Sequence, residues 1–319
     1  MKKYIYLVSV IMILFLASWA AGVQAEKTAQ EYFNAGTSHA QKGMIEKAKK
    51  EFKKATKLDP TLGGKAHYLL GMAYAKKNML KKAIAEYEKA AQLNPEVMII
   101  RINLANVYLA LGRFDEAISE YENMAELNPN AAWPHYNLAN LYMQQGMYLD
   151  AVREFKKAIA VDPSRLRGVH FQLGFALQKL NMFDDAISEY EKAVAENPKH
   201  YKAYYNMGLL CFKNNELDKA ILGYKNAIEL KPDYAEAHAN LGLAYYQKKE
   251  YILAINSLDK AVSIKPNLGE ALSGLALVYN AQEEYDKAMV YAQKAIKAGR
   301  NVSTDFIKRL QENIEREKN

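Results

Sequence analysis

Residues 167–198 read RGVHFQLGFALQKLNMFDDAISEYEKAVAENP, and variants of this pattern return along most of the chain. The closing Pro198 belongs to a series, Pro60, Pro95, Pro129, Pro163, Pro198, Pro232 and Pro266, spaced 35, 34, 34, 35, 34 and 34 residues apart. A period of 34 is the length of one helix–turn–helix unit in a stacked array. Proline disfavours α geometry in the residue before it, so each Asp-Pro, Asn-Pro or Lys-Pro step ends a helix.

With this proline at position 32, repeats begin near residues 29, 64, 98, 132, 167, 201, 235 and 269. Position 8 is Gly or Ala in every copy, and position 20 is Ala in all eight, from Ala48 to Ala288. Helices approach closely only where facing side chains are small, so these positions predict the crossing of a first helix A with a second helix B. Position 24 is large in seven copies (Phe52, Tyr87, Tyr121, Phe155, Tyr190, Tyr224, Leu258) and is expected to fill space between neighbouring hairpins. Residues such as Tyr68, Leu70, Ala73 and Tyr74 recur at helical spacing, which suits helices of about 12–15 residues. Short polar turns such as Leu111-Gly112-Arg113 make A and B antiparallel. Beyond the last repeat, Phe306, Ile307, Leu310 and Ile314 form one apolar stripe behind a Ser303 or Thr304 cap. Residues 301–319 therefore read as a capping helix.

On these residues the chain resembles the tetratricopeptide repeat (TPR) family over about residues 29–300. Leu173-Gly174, Ala186, Tyr190, Ala193 and Pro198 follow the family pattern. Departures are His or Tyr at position 4 in most copies, Met124 at position 27, and Ala292 and Arg300 in the last repeat. The resemblance implies an all-α fold, a TPR superhelical solenoid of eight antiparallel helix pairs with a C-terminal capping helix.

At the amino terminus, Lys2 and Lys3 precede the apolar run Tyr4–Leu16, and small residues follow to Ala25. This is the layout of a secretory signal, with cleavage expected after Ala25. Residues 1–25 are thus a signal peptide, or else an N-terminal membrane anchor. Left uncleaved, residues 4–21 would associate with a membrane, since about 18 apolar residues is the lower edge of a bilayer span. Either reading places residues 26–319, the eight repeats (26–300) and the cap, outside the cytoplasm. The chain is then exported, periplasmic or secreted, or anchored in the inner membrane facing the periplasm.

The net charge of +7 is weakly basic, and two of the charges are Lys2 and Lys3. Lysine pairs alternate with glutamates as on a solvated helix face, and no basic block or aromatic RNA motif accompanies them, so no nucleic-acid partner is expected. The single cysteine, Cys211, excludes an intrachain disulfide and reads as a small buried residue. No phosphate loop, catalytic constellation or cofactor motif is visible, so neither an enzyme nor a cofactor is expected. His67, His135, His170 and His238 all occupy position 4. Neighbouring repeats stack roughly 10 Å apart, too far for two imidazoles to share an ion bound at about 2 Å. These histidines read as packing residues, with no metal.

The most suggestive polar set is a ladder at position 6 of the A helices: Asn34, Asn103, Asn137, Asn206 and Asn240, with Gln172 in the fifth copy. Asn106 and Asn140, at position 9, lie one turn further along the same face. In the TPR family the A helices line a concave groove. The ladder resembles the one in the O-linked N-acetylglucosamine transferase superhelix, where asparagines hold an extended peptide, although no catalytic domain follows Arg300 here. An amide both donates and accepts, so it can pair with any peptide backbone. Tyr136, Phe171, Tyr205 and Trp133 stand near by to add apolar contacts. The cations of a carboxylate clamp are missing from the nearest register, Tyr136, Asn140, Gln172, Lys202 and Asn206.

The expected function is a non-catalytic protein–protein interaction scaffold. It would bind an extended protein segment in its concave groove, within a bacterial cell-envelope assembly. The alternative is a polysaccharide-secretion accessory protein that binds glycan or assembles an export complex. The open first repeat offers a surface for self-association.

Overall fold

The computed structural model of the protein describes residues 27–162, 166 and 168–318. The expected signal segment lies outside these residues. Among the described residues the secondary structure is entirely helical. The A helices are α1 (Ala29–Gln41), α3 (Gly63–Lys76), α5 (Met98–Ala110), α7 (Ala132–Gln144), α9 (Val169–Lys179), α11 (Tyr201–Lys213), α13 (Ala235–Gln247) and α15 (Gly269–Ala281). Their B partners are α2 (Ile45–Leu58), α4 (Leu80–Leu93), α6 (Phe114–Leu127), α8 (Tyr148–Val161), α10 (Phe183–Glu196), α12 (Leu217–Leu230), α14 (Tyr251–Ile264) and α16 (Tyr285–Lys297). A 3₁₀ turn, Pro60–Leu62, follows α2, and α17 (Thr304–Lys318) ends the chain. No described helix is long and apolar enough to cross a membrane.

The chain divides into two compact units between Leu138 and Ala139, within α7. In the first, α1 packs on α2, α3 on α4 and α5 on α6, and B helices α2 and α4 pack on the next A helices, α3 and α5. The second follows the same rule from α9 to α16, and α17 packs on α16.

The small residues set the spacing of each pair. All eight position-20 alanines are 0% exposed. At Gly174, an added Cβ would stand 2.9 Å from the Tyr190 ring and 3.2 Å from the Ala186 carbonyl oxygen; at Gly208 the distances to the Tyr224 ring and the Ala220 oxygen are 2.8 and 3.1 Å. Helix A therefore lies against the backbone of B, and the position-24 ring lies flat over position 8. That ring also meets the position-5 aromatic of its own pair, with centroids 5.3 Å apart for Phe33–Phe52, 5.6 Å for Phe171–Tyr190 and 5.9 Å for Tyr205–Tyr224. It reaches the next repeat as well, since Tyr190 accepts a hydrogen bond from Asn206. Position 24 thus fills its own hairpin and the seam beyond it.

The turn from A to B uses a left-handed residue at position 15 in every repeat: Gly43, Asn78, Gly112, Gly146, Asn181, Asn215, Lys249 and Glu283. Gly and Asn adopt this conformation at low cost, and it lets their own N–H and the next one bond back to the last helical carbonyls. In the first pair these bonds are Gly43 N–H to Ala40 O and Met44 N–H to His39 O. Each B helix before a proline ends on extended backbone, as at Asn197 (ψ 90) before Pro198. The last repeat, without a proline, ends instead on left-handed Gly299 (φ 83). Helix α17 seats Leu310, 0% exposed, on Ala276, Ala288 and Ala292, flanked by Phe306 and Ile307.

Two expectations follow for stability, each read from the urea midpoint. The Tyr224 hydroxyl is buried with no hydrogen-bond partner, whereas Tyr190 donates to Gln178 Oε1 at 2.7 Å and accepts from Asn206. Tyr224→Phe should raise stability by up to about 1 kcal/mol and Tyr190→Phe should lower it by about 1–2 kcal/mol; the reverse order would contradict this assignment. Glu283 holds φ 64 on a Cβ-bearing side chain. Glu283→Gly should therefore stabilise the last hairpin by about 1 kcal/mol, the order of the left-handed penalty.

Candidate functional site

Helical spacing brings a mixed set of side chains onto the A-helix face of the second unit. Phe171, Gln172 and Phe175 share one face of α9, and Lys202 and Asn206, four residues apart, share one face of α11. With Met143 of α7 and Tyr234, just before α13, they enclose a recess of about 400 Å³. Its walls are aromatic rings and a thioether, and its polar groups are two amides and an ammonium. Among the described residues, neither Lys202 nor the Gln172 amide is engaged by another side chain.

The position-6 ladder divides into residues with different environments. Asn34 is exposed and accepts from Gln30 Nε2 at 2.8 Å. Asn103 Nδ2 donates to the Tyr68 hydroxyl at 3.3 Å and to the Ile99 carbonyl at 2.8 Å. Asn206 Nδ2 donates to the Tyr190 hydroxyl at 3.2 Å, and Asn240 Nδ2 to the Tyr205 hydroxyl at 2.9 Å. Each of these three amides ties its A helix to the preceding repeat. Asn206 and Asn240 keep a second N–H and a carbonyl oxygen for other partners. Asn106 is exposed on α5, and Asn137 and Asn140 are half-buried on α7, one on each side of the division between the units. The structure brings Gln172 and Asn206 together in the recess.

Phe175, Met143, Lys202 and Tyr234 were not singled out in the sequence as groove residues. They come from four segments and share no repeat position. The tyrosine partners did leave a signal: Tyr68/Asn103 and Tyr205/Asn240 are each separated by 35 residues. Burial pushes the Tyr205 phenol up to about 12, so at neutral pH it remains an uncharged hydroxyl.

Two position-4 histidines and one position-4 arginine brace their own hairpins. His67 Nδ1 lies 2.6 Å from Glu86 Oε2, His170 Nδ1 lies 2.6 Å from Glu189 Oε2, and Arg101 bonds Glu120 at 2.9 Å. In all three, position 4 meets an acidic position 23. Where position 23 is Ser257, His238 turns instead to the Pro232 carbonyl at 3.0 Å. The hydrogen bond from His67 holds the Glu86 carboxyl below the usual range against the opposing effect of burial. No cluster of three metal-ligating side chains exists among the described residues. Cys211 is buried, and burial pushes its thiol up.

Family models described as tetratricopeptide repeat or TPR repeat match residues 29–62, 64–97, 105–146, 132–165, 171–225, 208–249, 235–268 and 268–303. The chain belongs to the tetratricopeptide repeat family. It is similar to the crystal structure of YrrB, a TPR protein with an unusual peptide-binding site, at 30% identity over 58% of this chain and 95% of that one, with a TM-score of 0.53. MamA is similar at 29% identity over 54% and 93% of the two chains, TM-score 0.51. The C-terminal part of a TPR repeat-containing protein from Cytophaga hutchinsonii shares the fold at 20% identity over 76% and 98%, TM-score 0.61. Among curated proteins no match is found. The fold is consistent with protein–protein interaction.

His200 couples the recess to pH. Its ring meets Phe171 at a tilt, with centroids 4.4 Å apart, and its Nδ1 accepts from Ala203 N–H at 3.3 Å to cap α11. Burial, the largest cause, holds the imidazole below its usual value. A folded-state value below the unfolded one means the contribution to stability is full above about pH 6.5 and is lost as pH falls from there through the folded value. Thermal unfolding of the wild type should show this loss as pH falls below about 6.5. His200→Asn, which caps without titrating, should show a smaller loss.

Proposed function

We propose that this chain is a non-catalytic scaffold that holds an extended protein segment along its A-helix face, with the recess around Gln172, Lys202 and Asn206 as the anchoring point. The observation that carries this reading is the composition of that recess. Two amides suit a peptide backbone, Phe171, Phe175 and Met143 suit an apolar side chain, and the Lys202 ammonium favours an acidic neighbour. Preformed helices supply this surface with little ordering cost on binding. YrrB, described as having a peptide-binding site, is a relative of similar sequence and supports a peptide as ligand. The signal-like residues 1–25 support a place in a bacterial cell-envelope assembly. A glycan is the second reading, supported by ring faces beside amides, the pairing that suits a sugar.

The test compares residues 26–319 with a Gln172→Ala/Lys202→Glu variant in affinity capture from native envelope extract. Among the described residues neither side chain makes a hydrogen bond or ion pair, unlike the asparagines bonded to tyrosines. Lys260→Glu, exposed on α14, serves as the surface control. The expected outcome is a polypeptide captured by wild type and control and reduced about tenfold in the recess variant, equivalent to about 1.4 kcal/mol. Equal capture by the recess variant would overturn the site. Capture abolished by glycosidase treatment would favour glycan.

A further inference from the structure

A second cleft lies on the opposite side of α11. Lys202 and Asn206 face the recess described above. Tyr204, Met207 and Cys211, spaced three and four apart, line instead a cavity of about 440 Å³ between α10 and α12. Helical geometry puts the two sets on different faces of one helix.

Around this cavity the sixth repeat departs from the second, third and fifth at two paired positions. In the second, third and fifth repeats a basic side chain at position 4 meets a glutamate at position 23 between helices A and B of the same hairpin. The sixth has Tyr204 and Gly223 at these positions, so no such pair joins its two helices. Gly223 also allows α12 to lie close to α11: a Cβ there would stand 2.9 Å from both the Gly208 nitrogen and the Tyr204 carbonyl oxygen.

The cavity has a defined polarity. Ile187, Met207 and Leu222 give it an apolar lining, and Leu222 is 59% exposed. Asp184 and Glu191, both exposed on α10, form a negative rim; neither makes a salt bridge among the described residues, although the Lys219 charge is felt at Glu191. Glu216, also on the rim, is already paired with Lys219. The volume falls within the range of ligand sites, about 300–1,000 Å³.

We propose that the α10–α11–α12 cleft is a second docking site, which takes a basic amphipathic protein segment: a large apolar side chain enters beside Met207 and Leu222, and flanking Lys or Arg residues pair with Asp184 and Glu191. The charge of the rim selects the occupant, because an acidic segment of the same apolarity would meet three carboxylates, Asp184, Glu191 and Glu216, against the single cation of Lys219. The site is separate from the A-helix recess, so both can be filled at once.

The test uses the full chain and a fluorescein-labelled peptide, KKLFKKL amidated at its end, with EELFEEL as the control, read by fluorescence anisotropy. The basic peptide should bind and weaken as salt rises, as a charge-assisted contact does. Glu191→Lys/Leu222→Arg, both at exposed positions, should weaken binding about tenfold or more without shifting the melting temperature. Glu191→Lys alone provides the same comparison if the double variant unfolds. Gln172→Ala/Lys202→Glu should bind like wild type, which separates failure of this site from failure of the recess. Bound basic peptide should also slow N-ethylmaleimide labelling of Cys211. Equal affinity in the Glu191 variants, no binding by wild type, or tighter binding of the acidic peptide would each overturn the proposal.

Discussion

The closeness of helix A to helix B at the position-20 alanine sets most of the other distances in each repeat. Because Ala186 presents only a methyl group, the α9 backbone comes within a side chain's width of α10, and Gly174 has no room for a Cβ beneath the Tyr190 ring. Held flat in that gap, the ring can extend its hydroxyl only along the seam, where Gln178 and Asn206 meet it. Phe171 is packed against the same ring and is thereby turned to the face where the recess forms. A larger residue at position 20 would separate the helices and misplace the tyrosine, the amide and the recess wall together.

The period, the helix pairs and the final cap were legible because each rests on residue types that recur at fixed positions. Small residues mark a close approach and prolines mark an end, wherever they fall. Turn chemistry was only partly legible. Gly or Asn at position 15 signals a left-handed residue in six repeats, but Lys249 and Glu283 adopt the same conformation under the geometry of their neighbours. The histidine row carries no local sign of the position-23 glutamates that His67 and His170 meet, because that pairing joins two helices. The recess was the least legible feature, since its lining comes from α7, α9, α11 and the segment before α13 and is not periodic.

The position-6 amides show that a structural role and a binding role can belong to one side chain. Asn206 gives one N–H to Tyr190, which fixes its rotamer while leaving its oxygen directed elsewhere. A ligand meeting that amide does not have to order it first, so less binding energy is lost to immobilisation. The same bond means that removing the side chain weakens the seam between repeats as well as any ligand contact. Gln172, with no such internal bond, separates the two effects more cleanly.

In an array built from one repeated unit, the repeated positions make the scaffold and the departures from them make it particular. Position 20 is uniform and carries packing alone. Positions 4 and 23 are uniform enough to form struts in three repeats and change together in the sixth, where Tyr204 and Gly223 stand in place of a cation and a carboxylate. In the seventh only position 23 changes, to Ser257, and His238 turns to the Pro232 carbonyl. The change at both positions in the sixth leaves neither a cation nor a carboxylate without its strut partner, and it lines a cleft whose rim is acidic in a chain of net positive charge. A neutral strut exchanged only for stability would be expected to fill its seam, as the tyrosine rings do elsewhere in this fold. An open seam with unpaired carboxylates on one side is better explained by a ligand that completes it.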